Sequence, residues 1–212
     1  MESAEIVWLG TREGAPWHPL GAVEAEARAC VTGLGTLEVT DDVGRLKDLA
    51  GVRLLICCAD LWETALDDEA TGGLLAYAAS GGGVLVIHNG ICFQNRPEFQ
   101  ALVGARFTGH PDAGPLEFRP SSPDHPICLA QPRGWILEDE PYRFERHGVS
   151  AATLLYEYFH DGAWHPAAWT SKFGRGRVVY LMPGHSAASF RHPDYASVVS
   201  SAAAWLAAGF PE

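Results

Sequence analysis

Along the first hundred residues, short apolar runs alternate with stretches whose apolar positions recur every three or four residues. Residues 5–9 read as a first strand, and Gly10 then opens a loop holding Trp17, His18 and Pro19. Val23, Ala27, Val31 and Leu34 follow at helical spacing, which predicts a helix with one apolar face. After a short strand over 36–40 comes VRLLICCA (52–59), apolar throughout, the pattern of a strand covered on both faces of a parallel sheet. Leu66, Ala70, Leu74 and Tyr77 mark a second helix that ends before Gly81. Residues 84–88 form a further buried strand. Residues 97–103 form a short helix, with Pro97 in its first turn and Gly104 stopping it.

This alternation predicts a doubly wound α/β sheet. Residues 105–170 break the pattern: β-like pieces at 116–119, 153–159 and 167–170 are separated by Pro-rich turns, a β-rich excursion on one edge of the sheet. RVVYLM (177–182) returns to a buried strand. KFGRGR ahead of it reads as a hairpin turn, because no helix N-terminus follows its glycines. A last helix starts near Pro193 with Tyr195, Val198, Val199, Ala202, Trp205 and Leu206 on one side, an apolar face that would allow a homo-oligomer. No repeat or low-complexity linker interrupts the chain, so residues 1–212 read as one domain.

Charge narrows the partners. With 15 Lys and Arg against 26 Asp and Glu, a net charge of −11 argues against nucleic acid. No stretch approaches the roughly 18 to 20 apolar residues of a membrane span. The N-terminus has no basic region ahead of an apolar one, so no secretory leader is expected. Five cysteines, with Cys57 and Cys58 adjacent in an apolar run, suit reduced thiols in a cytoplasm.

Candidate chemistry collects where open parallel sheets bind ligands, beyond the carboxyl ends of the strands. Asp60 follows VRLLICCA, His88 ends VLVI, His185 follows VVYLMPG, and the Trp17–His18 loop follows the first strand. A nucleophile elbow needs small residues two positions to either side. His88, between Val86 and Gly90, occupies the elbow position, and Asn89 continues the turn. Cys92 lies a turn into the next helix. Trp17, Trp62, Tyr142 and Phe190 offer ring faces to a sugar, although core packing is the commoner use of aromatics. His125 in DHPI reads as a turn residue and His192, before Pro193, as a helix cap.

In order along the chain, VLVIHNG, FQALVGARFTGHP (99–111), DHPI (124–127), DEPY (139–142), AAWTSKFGRGRVVYLMPGH (167–185) and a closing AAAWLAAG helix resemble the trehalose-utilization, or ThuA-like, family. The resemblance spans roughly residues 50–209. It implies a flavodoxin-like fold related to class I glutamine amidotransferases, whose catalytic cysteine falls on His88 here and whose histidine falls near His185. The triad glutamate meets Ala187, so the resemblance implies no glutamine hydrolysis. Within the shared motifs lie His88, His110, Glu140 and His185, ligand types that a divalent zinc or manganese ion accepts. Asp139, beside Glu140, is the weaker candidate. Without a metal, the same groups could move protons. The family name implies disaccharide use, with a keto sugar as substrate for isomerisation or elimination.

Three functions follow for testing. The first is a small enzyme of carbohydrate utilization with His88, His185 and Glu140 catalytic or metal-binding, and Asp60, Trp62, Asn89, Trp17, His18 and Tyr142 at the substrate. The second is an amidotransferase-like hydrolase using Cys92 with His185. The third is a non-catalytic ligand-binding scaffold, favoured if the nitrogens of His88 and His185 stand more than about 10 Å apart, since each ligand atom lies about 2 Å from a shared ion.

Overall fold

A computed structural model describes residues 5–15, 17–146 and 152–209. The first half runs β1 (Ile6–Gly10), α1 (Leu20–Cys30), β2 (Leu37–Thr40), β3 (Leu54–Cys58), α2 (Asp68–Ala79), β4 (Gly83–Ile87) and α3 (Pro97–Val103). Six strands follow: β5 (Ala105–Gly109), β6 (Gly114–Pro120), β7 (Trp135–Asp139), β8 (Arg143–Arg146), β9 (Thr153–His160) and β10 (Ala163–Phe173). Then come β11 (Gly176–Leu181), α4 (Ala187–Arg191) and α5 (Pro193–Ala207).

Nine strands form one mixed sheet in the order β2-β1-β3-β4-β11-β10-β9-β6-β7. The first five are parallel, in the strand order of flavodoxin-like folds. Every residue of β1, β3 and β4 is buried, because α1, α4 and α5 pack together on one face while α2 and α3 pack together on the other. Unbroken apolar runs are what a doubly covered sheet requires. Capping agrees with the sequence: Asp67 accepts the Ala70 N–H at 2.7 Å, and Gly104 ends α3 in the left-handed region at φ 82°.

The β-rich excursion extends the same sheet from β11, with every pairing antiparallel. Three strands beyond the expected pieces appear here. β5 and β8 form a separate two-stranded ribbon, and β7 forms the far edge of the large sheet. The β7 sequence WILED alternates buried and exposed, but outward Ile136 is itself apolar and 65% exposed, which blurs the period-two signal. This half curls strongly. Trp135 stacks on Phe118 at 4.9 Å and meets Tyr156 edge-on, and the end of β7 returns to pack on α4.

Two expectations need correction. Tyr195, Val198, Val199, Ala202 and Leu206 of α5 are buried in the core and Trp205 is half-buried, so the face offered for a homo-oligomer is spent within the fold. His192 stands at the N-cap of α5 but its side chain makes no capping hydrogen bond. His125 sits in a turn as read, its ring 5.0 Å from Trp205. Among the described residues no helix is long and apolar enough to cross a membrane.

Candidate functional site

The carboxyl ends of β1, β3, β4 and β11 lie side by side, so the loops leaving them share one crevice. β4 leads directly into His88, whose backbone turns left-handed at φ 47°. A non-glycine residue there is strained, and the neighbours hold it in place. Tyr180 donates its hydroxyl to the His88 carbonyl at 3.2 Å. Gly90 runs so close to β3 that a Cβ would sit 2.0 Å from the Cys57 carbonyl oxygen. After β11, Gly184 adopts φ 140°, where a Cβ would press on Ile87 and His88. Only glycine lets the His185 loop come this near.

Four side chains converge. His88 Nε2 lies 3.2 Å and His185 Nδ1 3.3 Å from Glu140 Oε2, while His18 Nε2 lies 3.1 Å from His185 Nδ1 and 3.9 Å from Glu140 Oε2. All four ligand atoms fall within 4.8 Å of one another. Ligand atoms about 2.1 Å from a tetrahedral ion stand roughly 3.4 Å apart, so the set fits one small divalent cation. The rings of His88 and His185 are 5.8 Å apart, which removes the ground for a scaffold with separated histidines.

Contacts on the far side of two of the rings orient them. His88 Nδ1 lies 2.6 Å from the Met182 carbonyl oxygen, which can only accept, so Nδ1 carries a proton and Nε2 is the nitrogen turned toward Glu140. His18 Nδ1 lies 3.3 Å from Asp60 Oδ2, off the line of a good hydrogen bond, and the same oxygen accepts the His18 backbone N–H at 3.1 Å. Thr11 Oγ1 accepts the Asp60 N–H at 2.9 Å and fixes that carboxylate at the end of β3. Carboxylate–imidazole pairs of this kind orient metal ligands.

Electrostatics separate the histidines. Burial pushes the His18 pKa down, more than the Asp60 carboxylate raises it. The Glu140 contact pushes His185 up, against a smaller opposing effect of burial. Burial alone would raise the Glu140 carboxyl, but its hydrogen bonds to His185 and His88 outweigh that and hold it well below the usual carboxylate range. Neutral His18 stands beside a site that attracts positive charge.

The remaining expected residues divide. Tyr142 is buried, its ring stacked 4.1 Å from that of His88, so it forms a wall of the site. Trp62 is half-buried against Phe107, and Trp17 stands 70% exposed beside His18. Asn89 is fully buried and donates from Nδ2 to the carbonyls of Cys58 and Ala59, a brace between β3 and β4, which corrects its placement at the substrate. Phe190 is likewise buried, against Trp8 and Tyr195. His110 Nε2 reaches only the other Glu140 oxygen, at 3.8 Å, and lies outside the converging set; His18 takes the place expected of it. The loop after the first strand carried that signal, since its histidine follows a strand end. Cys92 is fully buried and burial drives its thiol pKa well up, so a thiolate nucleophile is unavailable to substrate.

Known proteins agree with this architecture. The ThuA family profile, described as trehalose utilisation, matches residues 20–206. Fold and geometry together describe an α/β chain with a histidine–carboxylate crevice at the sheet's carboxyl edge. This chain belongs to the ThuA family. It is similar to a ThuA-like protein from Parabacteroides merdae, at TM-score 0.79 and 17% identity over 97% of this chain and 90% of that one. A ThuA-like protein from Bacteroides uniformis is also similar, at 0.73 and 15% over 92% and 88%. PurLQS from Thermotoga maritima shares the fold at 0.64 and 15% over 96% and 100%. No curated protein matches the sequence.

Proposed function

We propose that this chain is an enzyme of carbohydrate utilization that holds a divalent zinc or manganese ion on His18, His88, Glu140 and His185 and acts on a disaccharide or keto sugar. The convergence of acceptors carries the reading. With its Nδ1 proton committed to Met182, His88 turns Nε2 toward a carboxylate oxygen 3.2 Å away. Lone pairs that face each other repel unless a proton or a cation lies between them, and one cation satisfies all four groups at once. A bound ion would polarise a carbonyl or hydroxyl oxygen of the substrate. With the ion bound, the second carboxylate oxygen of Glu140 would be the group left to take a proton beside that oxygen and return it, and Trp17 offers an exposed ring to the sugar's apolar face. The family name, trehalose utilisation, supports the substrate class.

Metal-free proton transfer is the second reading, supported by the His185–Glu140 contact and the raised basicity of His185. Elemental analysis of the purified protein separates the two. About one equivalent of divalent metal per chain, lost in a His88→Ala, Glu140→Ala double variant, is the expected result. Wild-type protein without metal after loading and desalting, or a double variant that keeps it, overturns the first reading. Release of monosaccharide from a keto disaccharide, abolished in the same variant, tests the substrate class.

A further inference from the structure

Asp139 is the last residue of β7, and its side chain has no exposure. Oδ1 accepts the Glu140 N–H at 2.9 Å; Oδ2 accepts the Gly184 N–H at 2.9 Å and the Ser189 hydroxyl at 2.7 Å. Among the described residues no Arg or Lys pairs with it, and the nearest titratable nitrogen is His88 Nδ1 at 3.8 Å. Burying a carboxylate without a cationic partner is costly, and a non-polar residue would fill the same volume without that cost. A role in overall packing therefore does not account for the charge.

Its partners do. One N–H belongs to Glu140 itself and another to Gly184, the residue before His185. Ser189 also accepts from the Ser186 N–H at 3.4 Å, so its hydroxyl links Asp139 to the loop just after His185. Gly184 in turn lies against His88. We propose that Asp139 is the positioning residue of the cation site, a single buried anion that ties the edge strand carrying Glu140 to the loop carrying His185 and sets both against His88. This rests on the cation-site reading above, and extends it to a residue that touches none of the ligand atoms' shared centre. The added negative charge within reach of His88 also favours a cation over a neutral ligand.

The test pairs Asp139→Asn with the milder Ser189→Ala, using Co(II) as the probe and ring signals of the histidines in metal-free protein as a second readout. An asparagine at 139 presents one acceptor where three donors converge. The expected result is a roughly 10- to 100-fold weaker Co(II) affinity with an altered visible spectrum, the range typical of outer-shell partners. Ser189→Ala should move both in the same direction by less. In metal-free protein the His88 and His185 signals should shift while those of His125 and His165 stay. Wild-type Co(II) affinity, an unchanged spectrum and unmoved His88 and His185 signals in a variant that merely melts earlier would overturn the assignment. If Asp139→Asn does not fold, Ser189→Ala decides by the same criteria. Wild-type protein that binds no Co(II) sinks the cation-site reading instead, and the histidine signals still judge whether Asp139 sets the two loops.

Discussion

The parallel and antiparallel halves of this sheet are built by opposite rules, and the site needs both. In the parallel half, helices cover both faces, so β1, β3 and β4 are apolar at every position and polar residues are forced to the strand ends. His18, Asp60, His88 and His185 all lie just beyond such ends. The antiparallel half covers one face of β7 and leaves the other open, so inward Trp135, Leu137 and Asp139 alternate with outward Ile136 and Glu138. It contributes one ligand candidate, Glu140, and the carboxylate beside it. The difference teaches that a rigid parallel edge presents the imidazoles, while a curled antiparallel flap delivers the charge.

Breaking the flap should have the largest effect. Trp135→Ala empties the stack with Phe118 and Tyr156 and should cost about 3–5 kcal/mol in a urea unfolding curve. It should also weaken Co(II) binding, because Glu140 directly follows β7. Ile56→Ala in the parallel half should cost about 2–5 kcal/mol and, if the halves are as distinct as argued, leave Co(II) affinity close to wild type in the protein that remains folded. Equal losses of affinity in the two variants would erase the distinction.

Removing a ligand comes next. Glu140→Gln or His88→Ala should weaken Zn(II) or Co(II) by more than the ~100-fold upper end seen for outer-shell partners, read by competition titration. Asp60→Asn, which leaves His18 without its carboxylate, should cost about 10- to 100-fold in the same titration.

A pH effect is smaller and has a definite sign. His185 is raised from 6.5, so its pairing stabilises fully below that value and is lost as pH rises through its folded pKa. Glu140 is lowered from 4.5, so its share is present above that value and lost as pH falls. The melting-temperature margin of metal-free wild type over His185→Ala should therefore be widest between 4.5 and 6.5 and shrink toward alkaline pH. A margin that grows from acid to alkali would show that the imidazolium–carboxylate pair is misassigned. Buried His18 has the opposite sign, since acid must charge a ring the fold keeps neutral.

Trp17→Ala should change stability least, within about 0.5 kcal/mol, since the ring is 70% exposed. If it stacks on sugar, the same variant raises KM with kcat nearly unchanged.

The two halves also differ in how well they could be read from the chain. Runs such as VRLLICCA and the elbow at His88 are local signals, so the parallel strands and the candidates at their ends were legible. Glu140 was found through its motif, in a segment whose strand was missed. Asn89 resembled a turn residue and proved a buried brace, because an amide that bonds two carbonyls of the neighbouring strand has no signature in its own segment. His18 joins the converging set and His110 stays outside it for a related reason: both lie in loops near the crevice, and spacing along the chain does not say which ring turns inward.

What the sequence by itself determined is the alternation of covered strands and helices, and with it the edge where polar groups must gather, because burial dictates residue type position by position. Only the tertiary structure decided which of those groups meet. The far strand of the sheet is distant from β4 in strand order, yet its curl brings Asp139 to Gly184 and Glu140 to His88. That closure depends on twist accumulated over several strands and on packing against α4, and neither is encoded within any one segment of the chain.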